Sequence, residues 1–207
     1  MEKTKDVVRS VFVALFAALI CACAFFAIPA GPLGVSIVIQ NMMCILAGCI
    51  LGNVQGGASV GLFIIAGVLG LPVLSAGKSG IGVLLAPTGG FYYGFFLGSL
   101  LAGIIAKRPK IDEKMSVKYV LRICIASFVG FISIYVPAIP WAVLKTGKEF
   151  STIIAGYMLP FLLVDFLKAV ATIGLSLALR PVAAWNYEEM FPIVREWEWE
   201  KAKRGYV

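Results

Sequence analysis

Long uncharged runs alternate along the chain with short polar or glycine- and proline-rich breaks, and the spacing of the breaks predicts six apolar spans. A polar, basic start (Met1 to Arg9) leads into a first run from Ser10 to Ile28, interrupted by Pro29, Gly31, Pro32 and Gly34. The second run covers Val35 to Leu51, and Gly52-Asn53-Val54-Gln55-Gly56-Gly57 reads as a turn. The third covers Ala58 to Leu71 and stops at Pro72; the fourth covers Phe91 to Ala106. The fifth runs from Tyr119 to Ile139, ended by Pro137 and Pro140, and the sixth from Ser151 to Leu179.

Between the third and fourth runs, Ser75 to Gly90 is apolar but too punctuated by glycine for one regular helix. It reads as a loop dipping into the protein, which is tolerable at membrane depth only when buried or lining a cavity. The expected fold is an all-α polytopic membrane protein with six transmembrane helices and a Gly-rich re-entrant-like loop between helices 3 and 4. Residues 1–184 form its membrane-embedded domain. Residues 185–207, with Trp185, Trp197 and Trp199 among charged neighbours, read as an amphipathic C-terminal tail at the interface. Ala22-Cys23-Ala24 resembles a signal-peptide cleavage site, but the first run is longer than a signal core and more spans follow. A retained helix is expected.

Composition supports this class. Of 207 residues, 60% are hydrophobic and 14% charged, where soluble domains carry about a quarter charged. The net charge of +7 would suggest nucleic acid on a soluble fold, but the basic residues cluster in loops between apolar runs, as membrane topology demands. Nucleic acid is therefore excluded as a partner, and the lipid bilayer is expected. With six spans, one side collects thirteen lysines and arginines, Arg180 among them, against Lys78, Lys145 and Lys148 on the other. Both termini are then cytoplasmic. The chain has no histidine, and its five cysteines lie in apolar runs without a CxxC. That spacing offers no metal site and removes the commonest general base.

The strongest chemical signal is Asp165-Phe166-Leu167-Lys168 in the sixth run, since Asp165 is the only acid inside any apolar run. A spacing of three puts Asp165 and Lys168 on one helix face. Lys168 precedes Leu179 by about 16 Å of helix, too far for its stem to reach water. Each such charge costs about 2.5–3.5 kcal/mol on insertion scales. Either the pair neutralises itself, or it forms a polar ligand site with one anionic acceptor and one cationic donor. Pro160, one turn earlier, frees a backbone carbonyl or kinks the helix.

Gly77-Lys78-Ser79-Gly80-Ile81-Gly82, followed by Pro87-Thr88-Gly89-Gly90, is the second signal. A phosphate-loop reading fails, because its first glycine falls on Pro72. A tight loop with a stray lysine and a lid whose Lys78 meets an anion remain, with Gly80 letting backbone approach a ligand closely. Gln40 and Asn41 either bond neighbouring helices or contact a ligand. Tyr92, Tyr93, Trp141 and Tyr157 suit an interfacial belt or a pocket wall, and Tyr157 and Phe161 join the candidate substrate-binding set. Ala14, Ala18 and Ala22 form a small-residue stripe suited to internal packing or to docking a partner.

Val38-Ile39 before Gln40-Asn41, the Gly77 to Gly82 run, Pro87-Thr88-Gly89-Gly90 and the Asp165/Lys168 pair together resemble the BioY family, the biotin-specific S-components of energy-coupling factor (ECF) transporters. The resemblance spans about Ser10 to Arg180. It implies that Asp165 and Lys168 hold the ureido ring, and that Lys78, where many relatives carry arginine, faces the valerate carboxylate. Ala86 stands where a glycine is expected. The resemblance also implies an ECF transmembrane coupling subunit docked on Ala14, Ala18 and Ala22, and two ATPase subunits that use the ATP. The chain itself would need no cofactor, with biotin as transported ligand. A different vitamin, a stand-alone biotin facilitator and an intramembrane enzyme built on Asp165 are the rival readings.

Overall fold

The computed structural model describes residues 2–29, 35–110 and 113–203, with side chains described within 7–28, 35–110 and 113–184. Among these residues, eight α-helices and one small hairpin follow in order: α1 (Glu2–Ala22), β1 (Ala27–Pro29), β2 (Ser36–Val38), α2 (Gln40–Leu51), α3 (Asn53–Val68), α4 (Ile81–Leu85), α5 (Gly90–Ala106), α6 (Val117–Thr146), α7 (Phe150–Tyr157) and α8 (Leu162–Lys203). Among the described residues, four stretches are long and apolar enough to cross a membrane: Val7–Phe25, Pro87–Ala106, Val117–Thr146 and Phe150–Ala184. At 12 and 16 residues, α2 and α3 measure about 18 and 24 Å, short of a full hydrocarbon core.

The boundaries differ from the sequence expectation in four places, each with a physical cause. Ser36–Val38 is a strand paired antiparallel with Ala27–Pro29, because the β-branched run Val35, Ile37, Val38, Ile39 suits a pleated edge. The turn expected over Gly52 to Gly57 shrinks to Gly52 alone, at φ +85°. Gly56 instead serves packing, since a Cβ there would lie 2.6 Å from Gly48 Cα. The fifth span continues through Pro137 and Pro140 to Thr146 and stops at Gly147 in the left-handed region. The sixth is broken in two by a 3-10 turn over Leu159–Phe161, where Pro160 has no N–H to continue the ladder.

Helix α5 is the spine of the bundle. Gly90, Gly94 and Gly98 recur every four residues on the face toward α6. A Cβ at Gly94 would sit 2.3 Å from the Ile134 carbonyl oxygen, and one at Gly98 2.6 Å from that of Gly130. On another side, a Cβ at Gly48 of α2 would lie 2.2 Å from the Ser99 carbonyl oxygen. Backbones approach this closely only where small residues permit it.

Arg180, counted by sequence among the thirteen basic residues of the cytoplasmic side, is fully buried. Its guanidinium ties four helices together at the end of the bundle away from the β-hairpin. Nε donates to Tyr119 Oη at 2.9 Å, Nη1 to the Cys49 and (at 2.9 Å) Lys107 carbonyls, and Nη2 to the Ala106 carbonyl at 3.1 Å and Glu113 Oε2 at 3.3 Å. All five N–H groups are matched. Three of the acceptors belong to the ends of α2 and α5, where helices leave carbonyls unsatisfied. Arg122 also pairs with Glu113.

Replacing Arg180 with Met should strand those carbonyls and cost on the order of 3 kcal/mol, read as a lowered thermal midpoint in detergent. Arg180→Lys should recover only part of it, because an ammonium has three donors and no planar fork. An unchanged midpoint in the Met variant would refute the clasp.

Candidate functional site

Breaking the sixth span at Pro160 restarts the helix at Leu162, so Asp165 falls in the first turn of α8. There the free N–H groups and the helix dipole favour a negative charge. Lys168 lies one turn on, its Nζ 3.1 Å from Asp165 Oδ1. Asn41, second residue of α2, joins them: Nδ2 donates to Asp165 Oδ1 at 3.0 Å, and Oδ1 accepts from Lys168 Nζ at 3.1 Å. Met42 N–H also donates to Asn41 Oδ1, at 2.9 Å, which fixes which way the amide faces. Tyr135 of α6 completes the group by donating to Asp165 Oδ2 at 2.6 Å. Three helices thus converge on one carboxylate. The amide and the phenol share the pair's hydrogen bonding.

These four residues line a cavity whose apolar wall includes Val38, Phe91, Phe95, Ile134 and Phe161. Ser36, Ser75 and Thr88 add hydroxyls, and Lys78 enters from the glycine segment. Among the described residues Lys78 has no ion pair, so its charge is available to the cavity.

The glycine segment is wired in place rather than loose. The Ser75 N–H donates to Tyr92 Oη at 3.0 Å, Trp141 Nε1 donates to the Ala86 carbonyl at 2.9 Å, and Gln40 Nε2 donates to the Val73 carbonyl at 2.8 Å. Gly80, at φ +87°, donates its N–H to the Gly67 carbonyl at 2.7 Å. A side chain there would be strained.

Of the residues singled out by sequence, the cavity brings together Asp165, Lys168, Asn41, Lys78 and Phe161. Gln40 is turned away and fully buried, bonded also to the Ile20 carbonyl at 3.2 Å. Tyr157 lies behind the wall, its ring stacked on Phe91 at 6.1 Å. Gly80 shapes the segment without lining the cavity. Ala14, Ala18 and Ala22 are exposed on α1, while Phe16, Ala17 and Ile20 face the core. Sequence reasoning missed Tyr135, a neutral residue mid-span beside two prolines, and left Tyr92 between an interfacial belt and a pocket wall; it lines the cavity. Among the described residues no group of three His, Cys, Asp or Glu could hold a metal ion.

A family model described as "BioY family" matches residues 1–184. The biotin transporter BioY of Thermotoga maritima is 36% identical over 96 residues, a match covering 46% of this chain and only 56% of that relative. The biotin transporter BioY of Rhizobium etli is 29% identical over 178 residues, covering 85% of this chain and 93% of that protein. The crystal structure of an S-component for biotin from an ECF-type ABC transporter is 29% identical, with a TM-score of 0.77. It covers 87% of this chain and 94% of its own.

The site's internal coupling is measurable in the empty protein. Asp165→Leu leaves a buried ammonium without its counter-ion and should cost on the order of 3 kcal/mol in detergent melts. Asp165→Leu with Lys168→Leu should cost clearly less than the two single changes added together. Strict additivity would show that the two charges do not depend on each other.

Proposed function

The chain belongs to the BioY family, and on that premise we propose that it captures biotin in the Asp165 cavity and carries it across the cell membrane as the substrate-binding subunit of an ECF-type transporter. The relatives in this family are transporters, so no catalytic role is assigned to Asp165. One observation supports this reading most: a buried anionic acceptor and a half-buried cationic donor converge at one point of the cavity. A cyclic urea needs both, since it offers N–H donors beside a carbonyl acceptor. Asp165 accepts from N–H, and Lys168 and Asn41 donate to the carbonyl. Lys78 then meets the valerate carboxylate as a point charge without the bidentate fork of arginine.

In the same reading the chain has six spans, with α2 and α3 shortened by the hairpin and the glycine segment, which plays the re-entrant part. Both termini lie in the cytoplasm. The exposed Ala14, Ala18 and Ala22 stripe faces the coupling subunit, two ATPases supply the energy, and α8 beyond residue 184 runs along the cytoplasmic interface, the last four residues of the tail lying outside the described residues.

Titration calorimetry on purified protein should give saturable biotin binding at micromolar concentration or below. Asp165→Asn should weaken it at least about tenfold, because an amide donor would face the donors of Tyr135, Asn41 or Lys168. No binding, or an Asn variant with full affinity, would overturn the proposal. Orientation is testable in intact cells with the native cysteines replaced by alanine. A membrane-impermeant thiol reagent should label Gly147→Cys and spare Ser116→Cys, and the reverse pattern would invert the topology.

A further inference from the structure

The hydrogen-bonding capacity of the buried group is nearly used up before any ligand arrives, and what remains is specific. Asp165 Oδ1 accepts from both Asn41 and Lys168, so its two acceptor positions are filled. Oδ2 accepts from Tyr135 and keeps one. Asn41 Oδ1 is filled by Met42 and Lys168, while its amide nitrogen keeps one of two hydrogens. Lys168 keeps one of three. Among the described residues, the Asp165, Lys168 and Asn41 side chains therefore present one free acceptor beside two free donors. That pattern fits one N–H and a carbonyl with two lone pairs, the edge of a cyclic urea.

Tyr135 decides the acceptor count. Were its hydroxyl absent, Oδ2 would present two acceptor positions, and a group offering a second N–H donor would find an acceptor where the wild type has none. Its ring is held rigidly for this purpose. Tyr135 is buried, meets Phe91 edge to face at 6.1 Å, and packs in a cluster with Val35, Ile139 and Phe161. Such packing fixes the phenol with its proton aimed at Asp165.

We propose that Tyr135 is a positioning residue for ligand selection: by committing its proton to Asp165 Oδ2 it limits that carboxylate to one vacant acceptor position, so that the site takes a urea N–H/C=O edge and refuses a guanidine-type edge. This inference rests on the biotin reading above, and its test separates the two.

The probes are biotin and 2-iminobiotin, the analogue whose urea oxygen is replaced by an imine nitrogen, protonated to a guanidinium at neutral pH so that N–H donors replace the carbonyl acceptor. Both are titrated against the full-length wild type and Tyr135→Phe, with thermal midpoints recorded alongside. The wild type should prefer biotin strongly. In Tyr135→Phe, biotin should weaken by about tenfold or more, while 2-iminobiotin weakens little or gains, so the preference narrows. Equal weakening of both ligands, which is what a merely structural lesion does, overturns the proposal, as does an unchanged biotin affinity. Failure of the wild type to bind biotin at all would sink the underlying reading instead.

Discussion

A carboxylate and an ammonium inside an apolar bundle persist only if the surrounding chain supplies enough partners to replace the water they have lost. Much of this structure serves that requirement at Asp165. Pro160 interrupts the sixth apolar run, so the acid lands in the first turn of α8. The strand Ser36–Val38 ends just before α2, which places Asn41 near that helix's start and within reach of both charges. Helix α6 runs on through two prolines and brings Tyr135 to the remaining oxygen.

The glycine contacts of α5 make that convergence geometrically possible. With Gly94 and Gly98 against the backbone of α6, and Gly48 of α2 against Ser99, α2 and α6 are drawn to the same helix. The volume left between them is the cavity. At the far end Arg180 repeats the logic with the opposite sign: a buried cation is held by carbonyls from α2 and α5 and by Tyr119 of α6. Helices α2, α6 and α8 are thus cross-tied by polar side chains at both ends and packed by apolar contacts between.

What could be seen in the sequence was what lacked any other explanation. An acid and a base one turn apart in an uncharged run have no inexpensive place in lipid, so Asp165 and Lys168 stood out unaided. Gln40 and Asn41 look equivalent in one dimension. A helix turns each residue about 100° from the last, so the first braces α1 and the glycine segment while the second reaches the charges. Tyr135 carries no charge and interrupts no pattern, and only its partner reveals its role. Arg180 sits at the end of an apolar run and was indistinguishable from a topological charge until its acceptors were located. Glycines are so frequent here that the four-residue spacing on α5 gains meaning only from the carbonyls opposite it.

Helix α8 is less embedded than α5: over residues 162–184 seven of 23 are buried, against nine of 17 in α5. Phe166 and Leu167, between the two charges, both point outward. The acid at the centre of the cavity is therefore carried on a helix whose outer surface is solvated by acyl chains, and chain length and saturation push directly on the element that presents it. An affinity measured in a short-chain detergent is therefore expected to differ from one measured in a thick bilayer.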